Sequence, residues 1–156
     1  MKVLMVCLGN ICRSPMAQGV LEHLVNERSL TWDVDSAGTG NWHVGELPDR
    51  RAIQTCQANG IDITDQRARQ FRDSDFDAFD LILTMDRSNY RDVVAMAKGT
   101  EQSDKVRPIL EYLEQPIKEV PDPYFDGRFQ DVFDLIVRSC NRLIEAEMGN
   151  NLESGT

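Results

Sequence analysis

The sequence predicts an α/β domain built on a parallel sheet with helices on both faces. Short aliphatic segments typical of strands alternate with longer segments whose apolar residues recur at helical spacing. One strand segment, at residues 80–84, has an uninterrupted apolar centre, which is typical of a parallel strand covered on both faces. The length of 156 residues fits a single domain, which we assign to residues 1–149, and we expect a frayed tail at residues 150–156.

Four segments are candidates for the strands of this sheet. They are residues 2–6, 31–36, 80–84 and 106–109. We expect the second to end before a glycine-rich turn that begins at Ala37. Pro108 should confine the fourth to an edge, because proline cannot donate a ladder hydrogen bond. Parallel sheets bind ligands beyond the carboxyl ends of their strands, so the functional site is expected there.

Helices are predicted between and after these strands. The first begins where Pro15 takes the first helical position, and the second begins near Asp49 and ends at an Asn-Gly cap. Asp86 can cap a third helix, and residues 129–148 show a long helical periodicity. Residues 110–127 contain three prolines and are predicted to form a long, semi-rigid loop.

The composition disfavours several classes of protein. Hydrophobic residues make up 41% of the chain and charged residues 28%, as in soluble folded domains. The net charge of −9 argues against binding to nucleic acid or to anionic membranes, and at first sight against a dianionic substrate. The four cysteines form neither a disulfide framework nor a zinc pattern. With neither a signal peptide nor a membrane anchor recognisable, a cytoplasmic location is expected.

The segment between the first strand and the first helix carries the candidate chemistry. A loop that leads from a strand into a helix N-terminus turns backbone N–H groups inward around a phosphate, and the same groups favour the thiolate of Cys7 as a nucleophile. Arg13 can hold two phosphate oxygens through its planar guanidinium. Ser14 can donate a hydrogen bond to the Cys7 sulfur when that sulfur leaves. The expected substrate-binding residues of this phosphate loop (residues 7–14) are Leu8, Gly9, Asn10, Ile11, Cys12 and Ser14.

Five stretches of the chain together resemble the low-molecular-weight protein tyrosine phosphatase family. They are VLMVCLGNICRSPMA at 3–17, DSAGT at 35–39, RARQF at 67–71, MDRSN at 85–89 and DPYF at 122–125. The resemblance implies a four-stranded parallel sheet with helices on both faces and a phosphate-binding loop after the first strand. It also implies an enzyme without metal or cofactor, in which Cys7 is the nucleophile, Arg13 the phosphate ligand and Asp122 the general acid.

The same resemblance assigns supporting roles and partners. Asn10, Ser14 and Ser36 are expected to hold the phosphate loop in shape, with a positive φ at Asn10. Gln66 stands where some family members have a histidine, so a histidine-centred network under the loop is not expected. The implied partners are phosphotyrosine-containing proteins, acted on by a monomer that self-associates weakly.

An acid is needed because tyrosine leaves as a phenolate whose conjugate acid has a pKa of about 10. Asp122 is the candidate, since Pro121 and Pro123 stiffen its loop, although an Asp-Pro pair often does no more than start a turn. Aromatic walls beside the phosphate loop would select phosphotyrosine over the shorter phosphoserine. The candidates for these walls are Trp42, Tyr124 and Phe125. Trp42 fits equally well as a cover for a core edge.

Other interpretations stay open at this stage. A thiol-dependent arsenate reductase on the same scaffold would need relay thiols near the end of the third strand, where residues 84–86 contain none. A non-catalytic phosphate-binding module would not need Cys7, Arg13 and Asp122 together. Cys12 either forms a reversible disulfide with Cys7 or is a small residue that fits a crowded loop. His43 is expected to have an ordinary surface or packing role.

Overall fold

The computed structural model, which describes residues 1–114 and 117–154, shows the predicted parallel sheet. Its strands lie in the order β2-β1-β3-β4, and each neighbouring pair is parallel. The strands are β1 (Lys2–Cys7), β2 (Asp33–Gly38), β3 (Leu81–Thr84) and β4 (Val106–Pro108). Every residue of the inner strand β3 is buried. Pro108 lies on an edge strand, as the sequence predicts.

Helices cover both faces of this sheet. They are α1 (Arg13–Glu27), α2 (Arg50–Ala58), α3 (Asp75–Ala78), α4 (Arg87–Met96), α5 (Thr100–Ser103), α6 (Pro123–Asp126) and α7 (Phe129–Ser154), with a 3-10 helix at Ile109–Tyr112. Alternate residues of β1 point to opposite faces, so Val3 and Met5 pack in the core under α1, α2 and α7. Leu4 and Val6 pack in a second, smaller core that includes Val93 of α4. The predicted α/β architecture is therefore confirmed.

Two predicted boundaries near the first two strands differ from the structure by two residues each. Helix α1 begins at Arg13, so Pro15 is its third residue and not its first. Strand β2 runs on through Gly38, because the ladder with β1 extends to the pair Cys7–Gly38 and overrides the turn expected from Ala37. A Cβ added at Gly38 would lie 2.7 Å from the carbonyl oxygen of Leu8. Only a residue without a side chain lets the end of β2 lie this close to the start of the phosphate loop.

The second half of the chain contains more helix than the sequence indicates. Residues 110–127 are not one loop, since they include the end of the 3-10 helix and the whole of α6, which Asp122 caps at its N-terminus. Helix α7 extends to Ser154, six residues beyond the predicted end, and residues 155–156 of the expected tail lie outside the described residues. Within the described part of the chain, no helix is long and apolar enough to cross a membrane.

Candidate active site

The predicted order of strand, loop and helix is present: the phosphate loop leaves the carboxyl end of β1 at Cys7 and enters α1, which begins at Arg13. Asn10 adopts φ of +57°, a left-handed conformation that asparagine tolerates better than most residues. The thiol of Cys7 lies 3.0 Å from the Ser14 hydroxyl and accepts a hydrogen bond from the Asn10 backbone N–H at 3.3 Å. A hydroxyl and a backbone N–H therefore hold the sulfur in place at the start of the phosphate loop.

Asn10 holds the loop from behind through its buried side-chain amide. The amide nitrogen donates to the hydroxyls of Ser14 at 2.8 Å and Ser36 at 3.0 Å, and the amide oxygen accepts from the backbone N–H of Arg69 at 3.0 Å. The Ser36 hydroxyl in turn donates to the side-chain oxygen of Gln18 at 2.7 Å. This geometry supports the expected loop-supporting role of Asn10, Ser14 and Ser36. The side chains of Asn10 and Ser14 lie behind the loop and do not line the cavity described below.

Arg69 anchors this support and was not identified from the sequence. Its guanidinium donates to both carboxylate oxygens of the fully buried Asp75 at 3.0 Å each, and also to Asp35 at 3.1 Å. This bidentate pairing fixes the backbone whose N–H holds Asn10. The stretch RARQF at 67–71 was the available signal, but spacing alone does not show which arginine turns inward.

Arg13 lies in the floor of the site with 3% of its surface exposed. One terminal nitrogen donates to Asp86 at 2.8 Å and to the carbonyl oxygen of Val120 at 3.1 Å, while the other lies 3.6 Å from Asp122. Burial opposes the charge, but the negative charges of Cys7, Asp86 and Asp122 raise the pKa of Arg13 above its ordinary value. The guanidinium is therefore a fixed positive charge beside the thiol.

Asp86 is a further site residue that sequence reasoning placed only as a helix cap. One carboxylate oxygen accepts from the backbone N–H of Asn89 at 2.8 Å, and the Asn89 side chain accepts from the Asp86 N–H, which forms a capping box at the start of α4. The other oxygen accepts the hydrogen bond from the Arg13 guanidinium. The cap orients the carboxylate so that its second oxygen points into the site.

Asp122 lies opposite the phosphate loop at the N-terminus of α6. Its Oδ1 accepts from the backbone N–H of Tyr124 at 3.1 Å, and Pro123 takes the first helical position. Its Oδ2 faces Arg13. The turn-starting role and the proposed acid role are thus compatible, because the two oxygens serve different partners.

A cavity of about 160 Å³ opens between these elements. Its walls are formed by Cys7, Leu8, Gly9, Ile11, Cys12, Arg13, Trp42, His43, Asp122, Tyr124 and Phe125. Trp42 lines the cavity and is 69% exposed, so it is a wall of the cavity and not a cover for the core. Phe125, another wall, is 83% exposed. His43 was given no role in the site from the sequence, yet its ring lines the cavity and pairs with Glu46.

The other cysteines differ sharply in their surroundings. Cys12 lines the cavity, but burial first, and then the negative charges of Asp49, Cys7 and Asp122, raise the pKa of its thiol. Cys56 and Cys140 are completely buried in the core, and burial raises the pKa of each to about 12. These two are core residues away from the cavity, whereas a link between Cys7 and Cys12 stays a prediction.

Known proteins are similar to this chain in both fold and sequence. The sequence profile described as low molecular weight phosphotyrosine protein phosphatase matches residues 2–154. A putative low molecular weight protein-tyrosine-phosphatase of Synechocystis is 43% identical, over 92% of this chain and 94% of that protein. The crystal structure of YfkJ from Bacillus subtilis superimposes with a TM-score of 0.91 at 36% identity, covering 96% of each chain.

A further solved structure is named for a different phosphorylated residue. It is the Drosophila arginine phosphatase, which matches with a TM-score of 0.89 at 37% identity, over 94% of this chain and 98% of that one. The resemblance inferred from the five sequence stretches is confirmed by the profile and by these relatives. The chain belongs to the low molecular weight phosphotyrosine protein phosphatase family.

Proposed function

We propose that the protein hydrolyses phosphotyrosine in phosphoproteins, and simple aryl phosphates, through a cysteinyl-phosphate intermediate. The observation that carries the proposal is the convergence of three groups on one cavity. The Cys7 thiol and the buried Arg13 guanidinium form its floor, and the Asp122 carboxyl lies 3.6 Å from that guanidinium. A nucleophile, an anion ligand and a proton donor are the groups that phosphoryl transfer to a thiol requires.

In the first step, the Cys7 sulfur attacks the phosphorus atom while the bond to the tyrosine oxygen breaks. Backbone N–H groups of the phosphate loop and the guanidinium of Arg13 stabilise the charge on the transferring group. Asp122 donates its proton to the departing phenolate oxygen. The products are free tyrosine hydroxyl and a phosphorylated Cys7.

In the second step, water attacks the phosphorus atom of the intermediate and Cys7 leaves as a thiolate. Asp122, now ionised, accepts the proton of that water. The Ser14 hydroxyl, 3.0 Å from the sulfur, donates a hydrogen bond that stabilises the departing thiolate. Orthophosphate is released and the starting state returns.

The net charge of −9 does not oppose a dianionic substrate at this site. Charges beyond about 10 Å are largely screened by salt, so the phosphate responds chiefly to Arg13 and the loop N–H groups. The proposed partners are phosphotyrosine proteins, with the enzyme acting as a monomer that self-associates weakly. We also propose a cytoplasmic location, because a reducing compartment keeps Cys7 and Cys12 as the free thiols that the structure shows.

The proposal is tested by aryl phosphate hydrolysis in the presence of EDTA, with the parent compared to Cys7→Ser and Asp122→Asn. Cys7→Ser should lower kcat by about 10³-fold or more, because the serine oxygen is a poor nucleophile without a base. Asp122→Asn should lower kcat/KM by about 100-fold on phenyl phosphate and less on 4-nitrophenyl phosphate, whose leaving group needs less protonation. Cys56→Ala, a change in the core, serves as the matched cysteine control. Undiminished turnover in Cys7→Ser would contradict the mechanism.

The substrate class is tested with peptides that carry phosphotyrosine, phosphoserine or phosphoarginine in one sequence context. The aromatic walls of Trp42, Tyr124 and Phe125 should favour phosphotyrosine, since a flat ring can pack between them. A higher kcat/KM on phosphoarginine would assign this chain the activity for which its Drosophila neighbour is named.

A further inference from the structure

Arg51, in the first turn of α2, lies between the phosphate loop and the segment that carries Asp122. Its side chain is held first by Asp49, whose two carboxylate oxygens each accept from the guanidinium at 3.1 Å. Asp49 is itself attached to the phosphate loop, because its backbone N–H donates to the carbonyl oxygen of Ile11 at 2.7 Å. Partial burial opposes the charge of Asp49, but the hydrogen bonds from Arg51 hold its pKa below the ordinary value. The pair therefore stays ionised at neutral pH.

The other side of the same guanidinium contacts the acid loop (residues 121–127). A terminal nitrogen of Arg51 donates to the carbonyl oxygen of Tyr124 at 3.2 Å. The guanidinium carbon also lies 5.3 Å from the centre of the Tyr124 ring and 4.7 Å from that of Phe129. Phe129 is buried where α7 begins, so it gives Arg51 a fixed surface. Cation–π contacts and a carbonyl acceptor thus hold the guanidinium from this side.

Tyr124 connects Arg51 to the proposed acid, Asp122. The residue whose carbonyl receives Arg51 also donates its own backbone N–H to Oδ1 of Asp122 at 3.1 Å. This inference rests on the proposed function. We propose that Arg51 is a positioning residue: by joining the acid loop to the phosphate loop, it fixes the distance between Asp122 and Cys7. Arg51 does not line the cavity, so it acts through Tyr124 and not by touching the substrate.

The position of Arg51 outside the cavity is what makes this contact useful. Asp122 also lies 3.6 Å from Arg13, but that guanidinium serves the phosphate when the substrate is bound. Arg51 does not line the cavity, so a bound phosphate does not compete for its contacts to Asp49, Tyr124 and Phe129. A proton donor displaced by even about 1 Å from its hydrogen-bonding position to the departing oxygen loses much of its effect. Lysine cannot reproduce the planar fork and the stacking, so it should replace Arg51 poorly.

The test compares Arg51→Met, Arg51→Lys and the matched control Arg50→Met, an exposed arginine one position earlier. Arg51→Met should lower kcat/KM on phenyl phosphate by about tenfold, a part of what a general acid contributes, and by less on 4-nitrophenyl phosphate. Arg51→Lys should recover only part of this loss, and Arg50→Met should behave like the parent. Inhibition by orthophosphate should stay within about twofold of the parent in all three, because the phosphate loop keeps its own hydrogen bonds.

A double-mutant cycle with Asp122→Asn decides whether Arg51 acts through Asp122. With the acid removed, Arg51→Met should change kcat/KM by less than about twofold. Equal losses with and without Asp122, or equal losses on both substrates, would overturn the inference, as would weakened orthophosphate inhibition.

Amide hydrogen exchange gives a readout that does not depend on activity. Exchange in residues 122–127 should become faster in Arg51→Met and not in Arg50→Met. If the parent or Asp122→Asn fails the leaving-group test, the proposed function fails and the acid-positioning role with it. If those pass and exchange in the acid loop is unchanged in Arg51→Met, the positioning role alone is wrong.

Discussion

The phosphate loop and the acid loop meet at one cavity but are held in different ways. In the phosphate loop, Asn10, Arg13 and Ser14 are buried, and their side chains hydrogen-bond to residues as distant in sequence as Val120. In the acid loop, Tyr124 and Phe125 are exposed, and several hydrogen bonds connect residues two positions apart, such as Tyr124 N–H to Asp122. The first loop is part of the core, whereas the second rests on its surface.

This difference matches the two tasks in the proposed reaction. Groups that stabilise the charge of a transferring phosphoryl group work best when they are fixed in advance, because they then need no reorganisation during the reaction. A proton donor and aromatic walls must instead accept leaving groups on polypeptides of different shape. We therefore expect substitutions that disturb the floor to reduce catalysis strongly and those in the acid loop to change it less, unless they touch Asp122 or its attachment.

The largest contrast is expected between two glycine substitutions, one beside the phosphate loop and one at the end of the acid loop. A Cβ in Gly38→Ala would lie 2.7 Å from the carbonyl oxygen of Leu8 and 3.1 Å from the Asn10 nitrogen, so the phosphate loop must shift. Misplacement of the reacting groups by about 1 Å should lower kcat/KM on phenyl phosphate by about 100-fold. In Gly127→Ala, the added Cβ meets no described atom within 4 Å, and the φ of +75° costs about 1 kcal/mol of stability. Similar activity in the two variants would contradict the comparison.

Oxidation of Cys7 gives a second test, which asks whether Cys12 lies close enough to form a disulfide with it. Mild peroxide converts the Cys7 thiolate to a sulfenic acid, and the Cys12 thiol can condense with it to a disulfide, releasing water. After thiol reductant, the parent should recover most of its activity and Cys12→Ser only a small part. The raised pKa of Cys12 leaves little thiolate at neutral pH, so disulfide formation should become faster as the pH rises. Thiol mapping by mass spectrometry checks the linkage, and equal recovery in both proteins would argue against it.

A smaller loss is expected when the floor keeps its shape but Arg13 loses its charged partner. Asp86→Asn retains a side-chain oxygen that can cap α4, but it removes the negative charge that lies 2.8 Å from Arg13. A hydrogen bond to a charged group contributes about 1.5–3 kcal/mol, and the lower end applies because Asp86 is partly exposed, so kcat/KM should fall by about tenfold. Orthophosphate inhibition should weaken in parallel, in contrast with the Arg51 variants. Unchanged inhibition would show that Asp86 does not position Arg13.

The sequence predicted the architecture and the floor of the site better than the contacts that hold them. Periodicity and apolar runs located the four strands, and the strand-loop-helix order located Cys7 and Arg13, because these signals are local. The end of β2 was wrong by two residues, since pairing with β1 up to Cys7 overrides the local preference of Ala37 and Gly38 for a turn. Helix α6 has four residues, which is too short for a helical periodicity to appear.

Three charged residues that sequence reasoning missed share one property: their partners are distant in the chain. Asp86 lies 73 positions from Arg13, Arg69 lies 59 positions from Asn10, and Arg51 lies 73 positions from Tyr124. Charged residues at such separations show no local pattern, and most charged residues are solvated. Only the fold brings these pairs together.

The smallest effect is expected from Phe125→Ala, which changes the most exposed aromatic wall of the acid loop. With 83% of its surface exposed, Phe125 contributes little to packing, so stability should change by no more than about 0.5 kcal/mol. Its ring lies edge-on to Tyr124 with centroids 5.2 Å apart, and losing one aromatic contact to the substrate ring should lower kcat/KM on a phosphotyrosine peptide about threefold, through KM. The phosphoserine form of the same peptide, whose side chain is too short to reach this wall, should react as it does with the parent. A loss of the same size on both peptides would show instead that Phe125 supports the acid loop, and the surface loop would then be as much a part of the catalytic framework as the buried one.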